Sequence, residues 1–244
     1  MIKGLSWLST LNLAKVNSDK TKGRCVGCLS SNAYNGLCVF CQADLPVNQW
    51  HCRYCALPMS HAGNELVCSD CLISPPAFAH SYIPWRYQYP VDGMISRYKY
   101  NRQHKFARPL IAGFTSYVES VFRDQNHIKP HLLIPSPMLP SRRRERGFNQ
   151  ARDIAEQLGA ALDIPVSAGI VRRVRKVQAQ RGLSREARLK NLHSVFEVCA
   201  KVPERIAIVD DVVTTGATAR VLASALRDAG ATEIQVWALA RTPG

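Results

Sequence analysis

The hydrophobic positions after residue 75 follow two spacings, one typical of helices and one typical of buried strands. Apolar residues within 104–123 recur at helical intervals, and a second stripe of this kind runs from Phe148 to Leu162. A third helix is predicted to end at Gly230, the first position where the apolar stripe gives way to a turn residue. Short, largely apolar segments predict strands at 131–135, 164–170, 205–209 and 234–240.

Alternation of strands and helices predicts an α/β domain with a mostly parallel sheet and helices on both faces. The composition changes at Ser74-Pro75-Pro76, so we assign 75–244 to this domain, 25–74 to a cysteine-rich module and 1–24 to an N-terminal arm. Cys199 lies in an apolar strand pattern and is predicted to be a core residue. No run reaches the ~20 apolar residues of a membrane span, and we expect a cytoplasmic protein.

Eight of the nine cysteines form four CxxC pairs, separated by 9, 10 and 12 residues. They are Cys25/Cys28, Cys38/Cys41, Cys52/Cys55 and Cys68/Cys71. Two such pairs supply four thiolates at ~2.3 Å from one Zn²⁺, so the module is predicted to be a double zinc ribbon with two structural sites. Disulfides would need an oxidising compartment, and a redox CxxC would be single. Sequential pairing fits the short gaps best, and crossed pairing remains open.

The chain is strongly basic, with 32 Lys and Arg against 18 Asp and Glu, a net charge of +14. Residues 142–190 hold 13 of the basic residues and five acidic ones. Such a concentration of charge is compatible with phosphate-rich partners, including nucleic acid, and also with a solvated basic surface. Charge alone does not choose between these interpretations.

The most informative segment is IAIVDDVVTTGAT at 206–218, where an apolar strand is followed by two acids and a turn rich in Thr and Gly. Parallel sheets bind ligands at the carboxyl ends of their strands, and the N-terminus of the next helix presents N–H groups to an anion. The threonines offer hydroxyl donors, and a glycine lets the backbone approach a phosphate closely. Two carboxylates beside a phosphate site suit sugar hydroxyls, or Mg²⁺. Capping threonines beside solvated acids are the structural alternative.

These residues resemble the 5-phosphoribosyl-1-pyrophosphate (PRPP) motif of type I phosphoribosyltransferases. The resemblance implies that Asp210 and Asp211 hold the ribose hydroxyls, with Mg²⁺ bound alongside PRPP. In a transferase these two carboxylates would also be the catalytic residues, orienting the sugar or stabilising developing charge. It also implies that the 5′-phosphate binds the loop formed by Thr214, Thr215, Gly216, Ala217 and Thr218.

The order of the cysteine pairs, IPSPMLPSRRRERGFNQA (134–151), RVRKVQAQRGLSREARLKN (173–191) and the PRPP motif resembles the ComF/GntX family. Related enzymes place a pyrophosphate loop where Ser136 lies, and Arg146 in RGFNQ is the predicted pyrophosphate ligand. The resemblance implies a role in natural transformation, in which single-stranded DNA is handled in the cytoplasm through the basic 142–190 region, together with DNA-uptake proteins. An active phosphoribosyltransferase with an unidentified acceptor, and a regulatory sensor of PRPP, are the alternatives.

Overall fold

The computed structural model describes residues 23–61, 66–124, 127–174 and 195–244. Within these ranges the helices are α1 (Val39–Ala43), α2 (Ser69–Ile73), α3 (Val91–Asn101), α4 (His104–Phe122), α5 (Pro140–Arg146), α6 (Gln150–Leu162) and α7 (Ala217–Asp228). The strands are β1 (His80–Tyr82), β2 (Trp85–Arg86), β3 (Leu132–Pro135), β4 (Val171–Arg173), β5 (Phe196–Val198), β6 (Arg205–Val213) and β7 (Glu233–Arg241).

The main sheet has five strands, all paired in parallel, in the order β1–β7–β6–β3 with β2 also on β7. Its centre is formed by β6 and β7, each nine residues long, with unbroken apolar runs at 206–209 and 236–240. Parallel strands buried on both faces favour such continuous apolar runs over alternating ones. A separate pair of antiparallel strands, β4 and β5, lies outside this sheet.

Successive residues of the central strands point to opposite faces of the sheet, and each face has its own hydrophobic core. Ala207 and Trp237 belong to the core that contains buried residues of α3, α4 and α6. Ile208 and Val236 belong to the core that contains buried residues of α7. The predicted fold class is therefore confirmed: a mostly parallel sheet with helices on both faces, preceded by a cysteine-rich module.

The cysteine-rich module packs against both faces of this sheet. Cys25 and Cys38 are buried in the core that includes α4, whereas all four cysteines between 52 and 71 are buried in the core that includes α7. A buried side chain, Asn48, joins the module to the strand region by donating from Nδ2 to the carbonyls of Ala56 (2.9 Å) and Ile83 (3.4 Å). The cysteine-rich module and the packing of the sheet are thus physically connected.

The strand predicted at 164–170 is wrong. Within it only Val166 pairs with the sheet, by a single bridge to Leu133, and the chain bends at 168–170 before entering β4. The segment is interrupted by Pro165, Ser167 and Gly169, and the strand that follows it, β4, pairs with β5 outside the main sheet. The prediction that Cys199 is a core residue is also wrong, because the chain leaves the core after β5 and the thiol is exposed.

The helices predicted at 104–123, from Phe148 to Leu162 and before Gly230 correspond to α4, α6 and α7. The strands predicted at 131–135, 205–209 and 234–240 correspond to β3, β6 and β7. Within the residues that the structure describes, no helix combines the length and the apolar composition of a membrane span.

Candidate functional site

The PRPP-like motif lies where β6 passes into α7. The carboxylates of Asp210 and Asp211 lie near the carboxyl end of β6, and Thr214 and Thr215 in the following loop are exposed. Gly216 immediately precedes α7 and has a φ of 75°, in the left-handed region that side-chain-bearing residues rarely adopt. The loop is therefore open to solvent at a helix N-terminus, as an anion site requires.

A buried arginine that the sequence did not single out donates hydrogen bonds to the backbone of this loop. Arg241, the last residue of β7, is 4% exposed. Its Nη1 donates to the carbonyl oxygens of Val213 (3.3 Å), Thr214 and Thr242 (3.0 Å). At the other end of the loop, Thr215 Oγ1 accepts a hydrogen bond from the N–H of Ala217 (3.3 Å). These contacts fix the backbone of the predicted 5′-phosphate loop.

The two aspartates have different environments. Asp211 is buried, and its Oδ1 lies 3.0 Å from Nζ of Lys99 in α3. Asp210 Oδ1 accepts from the N–H of Asp211 (2.9 Å). Burial, followed by the adjacent charge of Asp211, raises the pKa of Asp210 to about 7, although Lys99 and the Ser136 hydroxyl act in the opposite direction. One carboxylate is thus ion-paired, while the other exchanges a proton near neutral pH.

The RGFNQ motif connects the elements around these aspartates. Asn149 caps α6 by accepting from the N–H of Ala151 (3.1 Å), and its Nδ2 donates to the carbonyl of Ser136 (3.2 Å). The buried Gln150 accepts from Arg146 Nη1 (3.3 Å) through Oε1. Its Nε2 lies 3.5 Å from the carbonyl of Lys99. The motif therefore joins the predicted pyrophosphate loop to the residue that pairs with Asp211.

Arg146 is positioned by contacts on two sides. Its guanidinium lies 5.2 Å from the centre of the Tyr100 ring, and its backbone carbonyl accepts from Nε of Arg102 (3.1 Å). The side chain is half-buried, unlike the exposed Arg142, Arg143 and Arg144 of the same helix. Its assignment as a pyrophosphate ligand stays a prediction.

Sequence reasoning missed Lys99 and Arg241, and it assigned Arg173 to the basic 142–190 region but not to this site. Lys99 has no motif around it, and Arg241 is marked only as a single charge that ends an apolar strand. Arg173 in β4 has a buried Nε without a hydrogen-bond partner. Burial, and then the charge of Arg142, lower its pKa, whereas Asp210 raises it. The last effect places a cation in the electrostatic neighbourhood of the aspartates.

The basic 142–190 region is only partly described. Arg142, Arg143 and Arg144 are exposed on α5, and no acidic residue interrupts this run. Arg172 donates to both carboxylate oxygens of Glu197 (2.9 and 3.0 Å), so its charge is largely matched. Residues 175–190, together with Asn191, lie outside the described residues.

The eight paired cysteines form two clusters, in each of which the four sulfurs lie within 4.8 Å of one another. The first cluster is Cys25, Cys28, Cys38 and Cys41, and the second is Cys52, Cys55, Cys68 and Cys71. The structure thus groups the pairs sequentially.

The donor sets suit Zn²⁺. Tetrahedral Zn–S bonds of ~2.3 Å place sulfurs about 3.8 Å apart. The Cys28–Cys38 and Cys55–Cys68 sulfurs lie 3.5 and 3.6 Å apart, far beyond a disulfide bond. A hydrogen bond from the Cys55 thiol, aided by backbone N–H groups against the effect of burial, lowers the pKa of Cys52 to about 4. Each cluster can hold one structural zinc ion.

The raised pKa of Asp210 predicts a pH-dependent stability. The folded state keeps this proton up to about pH 7, whereas the unfolded carboxyl loses it near 3.8. The stability that this tighter proton binding gives the folded state is fully present below the unfolded pKa, and it is lost as the pH rises through the folded pKa. Asparagine does not titrate, so the wild type should lose this stability between about pH 5.5 and pH 7 while Asp210→Asn does not. The unfolding free energy of the variant should therefore rise by about 2 kcal/mol relative to that of the wild type over this interval.

Urea unfolding at several pH values, with zinc in the buffer, measures this difference. Asp44→Asn, which removes a carboxylate at an exposed position, is the matched control. A constant difference for Asp210→Asn across this interval would show that its proton affinity is not raised.

The fold and the site define an α/β protein with an anion-type loop at a strand–helix junction and two Cys₄ clusters. No protein-family model matches the chain. Competence protein F of Haemophilus influenzae is 35% identical over 224 residues, which cover 89% of this chain and 96% of that protein. DNA utilization protein YhgH of Escherichia coli K12 is 31% identical over 85% of this chain and 91% of its own. The chain belongs to the ComF family.

Two further comparisons are more distant. Competence protein ComFC of Bacillus subtilis is 28% identical over 80% of this chain and 79% of its own. Among solved structures, a purine phosphoribosyltransferase from Pyrococcus horikoshii Ot3 matches with a TM-score of 0.34 and 16% identity. That match covers 55% of this chain and 80% of the other.

Proposed function

We propose that this chain binds PRPP at the β6–α7 junction and acts in the cytoplasm in DNA uptake, where it handles single-stranded DNA. The observation that supports PRPP binding is the pair of aspartates beside an exposed loop that ends in a left-handed glycine. Carboxylates accept hydrogen bonds from ribose hydroxyls, and the loop with the first turn of α7 receives the 5′-phosphate. Mg²⁺ would accompany the pyrophosphate, with Ser136 and Arg146 on that side.

Calorimetric titration with PRPP, with and without Mg²⁺, tests this proposal. Loss of a hydrogen bond to a charged group is worth roughly 1.5–3 kcal/mol, so Thr215→Ala should weaken binding about tenfold or more. The double variant Asp210→Asn with Asp211→Asn should weaken it further. Thr115→Ala is the matched control, because Thr115 lies on α4 and donates to the Ile111 carbonyl of its own helix. Absence of binding to the wild type would refute the proposal.

A second candidate is an active phosphoribosyltransferase with an unidentified acceptor. The observation that favours it is a partly buried carboxyl, Asp210, with a pKa of about 7, which suits proton transfer at neutral pH. The acceptor would displace pyrophosphate from C1 of PRPP and release its own proton. Pyrophosphate release in the presence of candidate acceptors, lost in the double aspartate variant, distinguishes an enzyme from a binding protein.

The DNA part of the proposal is supported by the relatives, which are a competence protein and a DNA utilization protein, and by the exposed arginines of α5. Single-strand binding should weaken steeply with salt, with about 0.7 in the logarithmic slope for each phosphate contact. Reversing Arg143 and Arg144 to Glu should therefore lower the slope by about 1.4 if both contact phosphates.

Arg108→Glu with Arg123→Glu is the matched control, since both residues are exposed and belong to or follow α4. This control variant changes the net charge by the same amount as the α5 variant, but on the surface of α4. Fluorescence anisotropy with a labelled oligonucleotide at several salt concentrations measures both slopes. An equal loss in the two double variants would indicate an unspecific charge effect and would contradict a role for α5.

A further inference from the structure

The second cysteine cluster is hydrogen-bonded to the helix that follows the phosphate loop. Arg220 of α7 donates from Nη2 to the sulfur of Cys71 (3.1 Å) and from Nη1 to the carbonyl of Ser74 (2.7 Å). The backbone N–H of the same residue donates to the carbonyl of Gly216 (2.9 Å). One residue therefore touches both a predicted metal ligand and the glycine at the start of α7.

A second arginine makes the corresponding connection from the other side. Arg241 Nε donates to the backbone carbonyl of Cys55 (3.2 Å), while its Nη1 donates to the carbonyls of Val213 and Thr214. The guanidinium is buried, and these three acceptors are backbone carbonyl oxygens, which carry no net charge. Because these acceptors do not neutralise it, the positive charge of Arg241 raises the electrostatic potential at the loop, which favours an anion there.

We propose that Arg220 and Arg241 are positioning residues that form a two-arginine clamp between the second cysteine cluster and the phosphate loop. Metal in this cluster and an anion on the loop each strengthen the binding of the other. The clamp alone is independent of the anion's identity, whereas its coupling to PRPP rests on the function proposed above.

The physical basis is the change in hydrogen-bond acceptor when the cluster binds metal. A thiol is a weak acceptor, whereas a metal-bound thiolate forms a charge-assisted hydrogen bond with a guanidinium. Metal binding therefore holds Arg220, and through it the start of α7, in place. Groups that orient metal ligands in this way typically change metal affinity or activity by roughly 10–100-fold when they are removed. Because such coupling is reciprocal, bound anion must also retain the metal.

Hydrogen exchange of the amides at 213–218 tests the clamp without any ligand. In zinc-loaded protein, Arg220→Met and Arg241→Met each remove hydrogen bonds that hold this region, and each is expected to accelerate the exchange about tenfold. Arg227→Met is the matched control, because Arg227 also lies on α7 but donates to the carbonyl of Ala77. Arg241→Lys keeps a buried cation and serves if Arg241→Met does not fold. Exchange unchanged in all the Arg220 and Arg241 variants would overturn the clamp.

Zinc release to a zinc-selective chelator, with and without PRPP, tests the coupling. PRPP should slow the loss of one zinc ion about tenfold in the wild type and in Cys28→Ser, which retains the second cluster. The protection should disappear in Arg220→Met and persist in Arg227→Met. Equal release with and without bound PRPP would overturn the coupling. If PRPP does not bind the wild type, the proposed function fails, and the exchange experiment alone decides the clamp.

Discussion

Replacement of Cys55 by serine is expected to lower the free energy of unfolding by about 5 kcal/mol or more. Cys55 belongs to the second cluster, whose four cysteines are buried in the same core as α7 and the central strands. Serine removes a thiolate from a four-ligand site and leaves a buried hydroxyl near the remaining sulfurs. Loss of the metal would therefore destabilise a large part of the sheet's packing, and not the cysteine-rich module alone.

Cys199→Ser is the matched control, because the same atom is exchanged at an exposed cysteine outside both clusters. Urea unfolding gives the two free energies, and metal analysis gives the zinc content. We expect two zinc ions in the wild type and in the control, and at most one in Cys55→Ser. Similar stabilities for the two serine variants would show that metal in the second cluster does not support the core.

Replacement of Lys99 by methionine is expected to destabilise the protein by about 3 kcal/mol, because it leaves Asp211 buried beside Asp210 without its cation. The side chains of Lys99 and Asp211 are only 14% and 12% exposed. Removing one partner of a buried pair leaves an uncompensated charge, which costs more than the pair contributes. Lys99→Met combined with Asp211→Asn should therefore recover much of the loss.

Arg152→Met provides the comparison at a surface pair. Arg152 and Glu156 on α6 form an ion pair in which both side chains are 52% exposed. Such pairs contribute about 0.3–0.5 kcal/mol, so this variant should remain close to the wild type. Chemical unfolding of the single and double variants gives the coupling energy between Lys99 and Asp211 directly. If Lys99→Met cost no more than Arg152→Met, the pair would not be a buried one in solution.

The sequence was most informative where chemistry and local geometry coincide. The CxxC pairs have a spacing that defines metal ligands, and the aspartates and Thr-Gly turn lie in one continuous segment across a strand–helix junction. Both features depend on residues close in sequence, so their patterns are visible without a fold. Continuous apolar runs such as 205–209 likewise predicted central strands, because parallel strands buried on both faces favour such runs.

Sequence alone misplaced residues where burial depends on distant neighbours. The segment 164–170 makes one bridge to β3 at Val166, and the strand that follows it belongs to the separate β4–β5 pair. Cys199 follows an apolar pattern but lies beyond the last buried residue of a short strand. An apolar pattern indicates that a segment prefers burial, but it does not predict which other element will pack against it.

By itself, therefore, the sequence determined the α/β class, the four CxxC pairs as metal ligands and the β6–α7 loop, since each is encoded in short-range spacing. Only the tertiary structure decided that the cysteine pairs group sequentially, that Lys99 pairs with Asp211, and that Arg220 and Arg241 join a cysteine cluster to the loop. The reason is that these contacts unite residues many positions apart. A single charged residue has no sequence pattern that indicates its partner, so the contact becomes visible only in the folded structure.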